Sequence, residues 1–281
     1  SLLNAHAGGF DLPGLPVLGD GHQGQWLGLN CDGLRHRAAD GRVRSWPMLG
    51  ALRDACPWAL YQDQSTFGER LWIGTAAGRL GFLESSASDV QEFYAWPSKA
   101  LVHSIARIDA STLWVAVGDA TYRVDANDRS KAPVAIAALQ GVTVARLRPA
   151  RRGGMWVTSD QGVFRVVGEQ IVERWGPLQG LSSRFARALW EGSDGTLWIG
   201  TYGGGVNVVR DGKLKVYNNA NGLHDATVSC ILEDHLGQLW LSGNRGISMV
   251  STRARDGAGQ SETLDVIAYS KADGLVPEEA N

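Results

Sequence analysis

Gly195-Thr196-Leu197-Trp198-Ile199-Gly200-Thr201-Tyr202-Gly203-Gly204-Gly205-Val206 reads as an apolar strand, a glycine turn and the start of a second strand. Its centre recurs along the chain. Leu71-Trp72-Ile73-Gly74-Thr75, Leu113-Trp114-Val115-Ala116-Val117, Met155-Trp156-Val157-Thr158-Ser159 and Leu239-Trp240-Leu241-Ser242-Gly243 are copies, and Gln25-Trp26-Leu27-Gly28-Leu29 is a diverged one. The tryptophans are 46 residues apart at the first step and 42 at each of the next four. Short apolar strands at a fixed period of roughly 40–45 residues mark a β-propeller, with one four-stranded blade per repeat. The expectation is an all-β propeller of four-stranded antiparallel blades, six of them recognisable at about 42 residues each. It forms a single domain over residues 1–281. The blades fall near residues 12–50, 56–97, 100–140, 142–178, 184–220 and 226–270, and residues 271–281 open a further repeat.

The fifth repeat shows the plan. Phe185 to Trp190 is an apolar run suited to an innermost strand. Asp194-Gly195 and Asp211-Gly212 are hairpin turns, because Asp-Gly supplies the positive φ that a two-residue turn needs. Between them Leu197 to Thr201 and Val206 to Arg210 are the middle strands, and Lys213 to Tyr217 is the outer one. The other innermost strands are expected at Leu15 to Leu18, Trp58 to Gln62, Val102 to Ile108, Val144 to Arg148 and Val228 to Asp234. The repeated Trp is read as filler between twisted sheets packed face to face, and the following Gly-Thr as room for close approach. Ser1 to Phe10 fits the tail of a preceding strand and Asp273-Gly274-Leu275 the entry to another blade. Closure by these six blades and closure with a seventh supplied from outside both remain open.

Composition agrees with strands and turns: 36 Gly and 11 Trp in 281 residues, with no sustained helical periodicity. With 27 basic and 29 acidic residues, no net field draws the chain to nucleic acid or an anionic membrane. No apolar stretch approaches the roughly 20 residues of a membrane-spanning helix. Three cysteines are too few for a disulfide scaffold. Cys230 reads as a small buried hydrophobe in an inner strand. Cys31 and Cys56 fall in turns on one face near the junction of the first two blades, and either a disulfide or two thiols fits.

The phrase Val228-Ser229-Cys230-Ile231-Leu232-Glu233-Asp234-His235-Leu236-Gly237-Gln238-Leu239-Trp240 resembles the two-component regulator propeller repeat, as do residues 195–206 and the preceding Gly180-Leu181. That family pattern is Ile-x-Glu-Asp-x-x-Gly-x-Leu-Trp-Ile-Gly-Thr-x-x-Gly-Gly-Leu. The likeness covers most of the chain. It is strong in the fifth and sixth repeats, fair in the second and fourth, and weak in the first and third, where Val117-Gly118-Asp119-Ala120 replaces the Gly-Thr turn. The resemblance implies a periplasmic, extracytoplasmic sensor of a membrane-anchored signalling protein with a histidine kinase or diguanylate cyclase output. It also implies a ligand drawn from glycans or their breakdown products and a possible homodimer through the full-length receptor. None of these residues forms a kinase, a cyclase or a membrane anchor.

Loops joining one blade to the next share a face with the loops joining strands two and three, and sites favour that face and the channel mouth. Alignment on the Trp sets Trp58, Ala100, Val142, Arg184 and Ala226 at one position before the innermost strand. Trp58 and Arg184 stand out there, with His224 and Asp225 in the matching loop one blade on and His103 just inside its strand. Asn30, Asp160, Tyr202, Asn244 and Arg245 come from the other loop set. Aromatic faces beside hydrogen-bonding groups suit sugars. The candidate ligand-binding residues are therefore Trp58, His103, Asp160, Arg184, Tyr202, His224, Asp225, Asn244 and Arg245. Taken singly, each also fits a solvated loop residue.

No His or Cys pair has metal-ligand spacing, no Gly-x-Ser-x-Gly elbow occurs, and Gly203-Gly204-Gly205 is followed by neither Lys-Ser/Thr nor a helix. No catalytic residue, metal or cofactor is expected. Three readings compete: a non-catalytic sensor for a carbohydrate or other small polar ligand, a protein-interaction or dimerisation platform, and a propeller lyase or glycan hydrolase.

Overall fold

Among the described residues, twenty-four short strands fold into six four-stranded antiparallel sheets, each built from four consecutive strands. The computed structural model describes residues 16–48, 50–53, 55–65, 68–250, 264–270 and 273. Among these residues the helical content is five three-residue 3-10 turns, as the strand-rich composition led one to expect. The proposed strand at Ser1 to Phe10, residues 251–263 and the entry at Gly274-Leu275 lie outside the described residues.

The first strand of each sheet is innermost: Val17–Gly19, Pro57–Ser65, Val102–Arg107, Val144–Pro149, Ala186–Glu191 and Cys230–Glu233. Successive innermost strands touch one another from the first blade through to the sixth, and so surround a central channel. Three boundaries differ from expectation for local reasons. The second blade's first hairpin runs longer, through Ser65 and back from Gly68. The third blade's outer strand stops at Ala135, because residues 137–139 curl into a 3-10 turn that buries Leu139. The sixth innermost strand begins only at Cys230, since the Val228 amide bonds to Thr201 of the preceding blade.

The Trp repeat explains how the blades adhere. Trp72 lies in the apolar core between blades two and three, with Phe82, Phe93 and Val115. Trp114 fills the core between blades three and four, Trp156 that between four and five, and Trp198 that between five and six. Each of these four is at most 2% exposed. Trp26 packs more loosely against the core between blades one and two. Trp240 is half-buried, stacks on Tyr269 with centroids 5.8 Å apart and donates to Asp234 at 2.9 Å. The glycines after Trp72 and Trp198 serve the same packing. A Cβ on Gly74 would collide with Val102 of the next blade, and one on Gly200 with Val228.

The two Asp-Gly hairpins of blade five differ. Asp211 and Gly212 both have positive φ, 50° and 71°, as a mirror-image hairpin turn requires. In Asp194-Gly195 only the glycine does, at 80°, and the Asp194 carboxylate accepts from the Thr196 amide and hydroxyl instead.

Two buried carboxylates bolt neighbouring blades together. Asp63, at the end of the second blade's innermost strand, accepts from the Trp72 indole at 3.4 Å and from the Arg107 guanidinium of blade three, whose Nε lies 2.8 Å away. Glu191 of blade five accepts from the Trp156 indole at 3.0 Å and the Arg151 amide at 2.9 Å, both in blade four. A disulfide joins Cys31, in the Asn30–Asp32 turn of blade one, to Cys56, which precedes the second blade's innermost strand. It resolves the alternative left open by the spacing. Such a crosslink across 25 residues adds roughly 3 kcal/mol by restricting the unfolded chain.

Asp63→Ala strands a largely buried Arg107 charge. The expected cost is about 3–5 kcal/mol in urea unfolding. Asp40→Ala, which breaks the exposed Asp40–Arg42 pair, should leave the midpoint unchanged. Equal effects of the two changes would refute the blade-bolting role.

Candidate functional site

A residue inserted near the start of an innermost strand recurs in four blades. Pro57 pairs with Thr75 and Ala59 with Gly74, leaving Trp58 without a partner in the ladder. In the same way His103 is left between Val102 and Ser104, Ala145 between Val144 and Arg146, and Arg187 between Ala186 and Ala188. Such bulges bend the strand and re-aim one side chain. Here they turn Trp58, His103 and Arg187 to the mouth of the channel.

This register corrects the alignment made on tryptophan spacing. Trp58 is equivalent to His103, Ala145 and Arg187, and not to Ala100, Val142 and Arg184. In blade two Trp72 faces Tyr61, while in blade three Trp114 faces Ala106, so the blade-two hairpin holds three more residues.

Three clefts meet at these positions. One of about 100 Å³ is lined by the innermost strands of blades one to four, including Trp58, His103, Arg146 and Arg148. A mouth cleft of about 190 Å³ is lined by His103, Thr143, Asp160, Phe185 and Arg187. A third, of about 60 Å³, holds Arg146, Arg148, Arg187, Ser229 and Cys230. Cys230 is thus half-buried beside the channel arginines, not a core hydrophobe. Burial pushes the His103 pKa down, and the nearby Arg146 and Arg187 charges push it further, so the imidazole is neutral at pH 7.

The structure gathers five of the expected residues on this mouth. Trp58 is 43% exposed and Tyr202 55%. Arg187 lies 5.9 Å over the Tyr202 ring, and Arg184 lies 4.5 Å over Phe185. His103 and Asp160 share the mouth cleft, where Asp160 accepts from the Thr143 amide at 3.1 Å. The other four form a separate group on blade six. The Asp225 carboxylate is engaged by the amides of Thr227 at 2.9 Å and Arg245 at 2.7 Å, so it shapes two loops. The His224 carbonyl accepts from Asn219, while Asn244 is half-buried and Arg245 exposed in the turn that Asp225 holds. The two groups adjoin, since the Gly203 amide bonds to Thr227 and the Gly205 amide to Ala226. Asn30 opens the turn that carries Cys31.

Sequence reasoning missed Phe185, Arg146, Arg148 and Arg187. The signal was present, because Val-Ala-Arg-Leu-Arg-Pro is an odd composition for a strand at the centre of a fold. A larger cavity, about 420 Å³, opens among the hairpin turns of blades four and five. Its charges satisfy one another, Arg152 with Glu173 and Arg210 with Asp194, which leaves less for a ligand to bond. Among the described residues no His, Cys, Asp and Glu cluster could hold a metal ion, and no helix is long and apolar enough to cross a membrane.

Solved structures place this architecture among known propellers. The extracellular domain of BT3049 from B. thetaiotaomicron, assigned as a hybrid two-component system, superposes with a TM-score of 0.74 at 19% identity over 98% of this chain. The chain spans 35% of that domain. Virginiamycin B lyase from Staphylococcus aureus gives 0.70 at 13% identity, over 94% of this chain and 87% of the lyase. The extracellular domain of BT4673 from B. thetaiotaomicron, assigned as a one-component system, gives 0.57 at 17% identity over 90% of this chain and 34% of its own length. At these identities the likeness establishes the propeller fold. No family model matches the chain, and no curated protein matches it.

Asp225→Ala should lower the unfolding free energy by about 1 kcal/mol, since the part-buried Thr227 amide and the exposed Arg245 amide lose their acceptor. Arg187→Ala, at an exposed side chain, should stay within about 0.5 kcal/mol of the parent. Urea titration of both variants checks this, and the reverse order would mean that Arg187 is structural.

Proposed function

We propose that the chain is the extracytoplasmic ligand-binding propeller of a bacterial signalling receptor, and that it senses a carbohydrate or similar small polar ligand at the channel mouth. The observation that carries this reading is the bulge set: three blades bend their innermost strands to present Trp58, His103 and Arg187 at one opening. Exposed rings and hydrogen-bonding groups on one rim suit a sugar, whose C–H faces stack while its hydroxyls are read. The propeller likeness to extracellular domains of an assigned hybrid two-component system and an assigned one-component system supports the sensor class. The Cys31–Cys56 disulfide supports an oxidising compartment such as the periplasm. A kinase or cyclase output and a receptor homodimer complete the proposal. An interaction platform is less favoured, because exposed apolar residues such as Val43, Val134, Leu178 and Ile267 belong to four different blades.

The test is thermal unfolding against a panel of neutral and acidic oligosaccharides. A ligand that binds only the folded form at 100 times its Kd adds about 2.7 kcal/mol and raises the melting temperature. The shift should vanish in Trp58→Ala and persist in a variant of the opposite face, Arg210→Ala. A shift indifferent to Trp58 would move the site elsewhere.

One observation favours an enzyme as the second reading: His103, held neutral, shares a cleft with Asp160, and virginiamycin B lyase has the same fold. If the protein is an enzyme, prolonged incubation with a bound compound should yield product by mass spectrometry, and His103→Ala should abolish the product while binding remains. An unchanged compound after incubation selects the sensor.

A further inference from the structure

The chain has three cysteines, and the Cys31–Cys56 disulfide leaves Cys230 as its one thiol. Cys230 is half-buried at the start of the sixth innermost strand. It lines the cleft of about 60 Å³ that blades four, five and six share. Two other groups of that cleft, one hydroxyl and one guanidinium, bear on the sulfur. Thr158 comes from the second strand of blade four. Alternation along the strand sends it to the same side as Trp156, towards blade five. There it lines the cleft at 1% exposure, and its hydroxyl has no hydrogen-bond partner among the described residues. A buried hydroxyl in that condition calls for a polar molecule to bond. The cleft has room for one of a few heavy atoms, since a water needs about 10–15 Å³.

Arg148 comes from the innermost strand of blade four and donates to the Leu189 carbonyl at 2.7 Å. Burial pushes its pKa down. Cys230 is foremost among the groups that hold it up, ahead of Glu191 and Glu233, while Arg151 acts against them. The guanidinium thus has carboxylates as counter-charges, and it also stands within electrostatic reach of the sulfur. The thiolate is the nucleophilic form of cysteine, and an adjacent arginine favours it.

We propose that Cys230 is a modification site for hydrogen peroxide, which enters this cleft and is oriented by the Thr158 hydroxyl beside the sulfur. The thiolate attacks one peroxide oxygen, so that an S–O bond forms and the O–O bond breaks. The departing hydroxide takes a proton from solvent and leaves as water. Sulfur loses two electrons and the peroxide gains them, which gives a sulfenic acid. As a sulfenate its oxygen can accept from the Arg148 guanidinium and the Thr158 hydroxyl. The other two cysteines are bonded to each other, so the return to the thiol is left to an external thiol reductant. The site stands whether or not the mouth binds a sugar.

The disulfide-bonded chain, mixed with hydrogen peroxide and dimedone as the trap for sulfenic acid, provides the test, with the adduct mapped and timed by mass spectrometry. The adduct should appear at Cys230 and be absent in Cys230→Ser. The folded chain should react at least about threefold faster than the same chain in urea, because the gain in thiolate outweighs the loss of intrinsic nucleophilicity. Thr158→Val should slow the folded chain by about threefold to tenfold, as loss of one hydrogen bond implies, and its melting temperature should not fall. No adduct at Cys230 in the folded chain, a rate in urea that equals or exceeds the folded rate, or a Thr158→Val variant that reacts like the parent would overturn the proposal.

Discussion

A lone four-stranded sheet has two faces and cannot bury either by itself. The structure depends on the answer repeated in blades two to five: one Trp sent into the core shared with the following sheet. Trp72, Trp114, Trp156 and Trp198 each sit in a different inter-blade core. Burying an indole of some 150–250 Å² contributes several kcal/mol at about 25 cal/mol per Å². Close approach of the sheets then requires glycine at 74 and 200, where any side chain would strike the next blade. It also leaves indole N–H groups in a dry interface, and Asp63 and Glu191 accept two of them. The carboxylates in turn recruit Arg107 and the Arg151 amide, so a requirement of packing becomes a polar tie between blades.

The same constraint frees the inner rim. Each innermost strand is laddered on one side only, and its other edge faces the channel. Neighbouring innermost strands are joined there by side chains, as when the Ser104 hydroxyl accepts from the Leu147 amide or Arg148 donates to Leu189. A bulge at this rim disturbs no second ladder. Strand positions 58, 103 and 187 can therefore leave the packing pattern and carry chemistry without weakening the cores below.

The legibility of the sequence follows this division. Residues under the packing constraint recur with its period, so the blades, the Asp-Gly turns and the buried tryptophans could be read directly. Residues at the rim lie outside that constraint and do not recur. Trp58 was misaligned because three extra residues between Tyr61 and Trp72 shift the register without shifting the Trp beat enough to reveal it. Arg146, Arg148 and Arg187 sit inside runs that read as buried strand, where a charge looks like noise until the channel is known. His224 and Asp225 were chosen by loop position and side-chain chemistry, yet local turn geometry engages the Asp225 carboxylate with backbone amides. Asp63 and Glu191 were invisible for another reason: their partners lie across a blade boundary, 44 and 35 residues away in sequence.

The placement of the mouth residues bears on how binding could be felt. Trp58, His103, Asp160 and Arg187 come from blades two, three, four and five, and each is fixed to its own sheet by a bulge or a tight turn. Blades in such an array contact only their neighbours, so stability is a sum of local interfaces and each interface can loosen by itself. A molecule seated across the mouth touches several blades at once and adds a bond that no pair of neighbours can supply. Ligand occupancy and the tightness of the ring are therefore thermodynamically linked. On the sensor reading proposed above, a ligand would be reported through the rigidity of the whole frame.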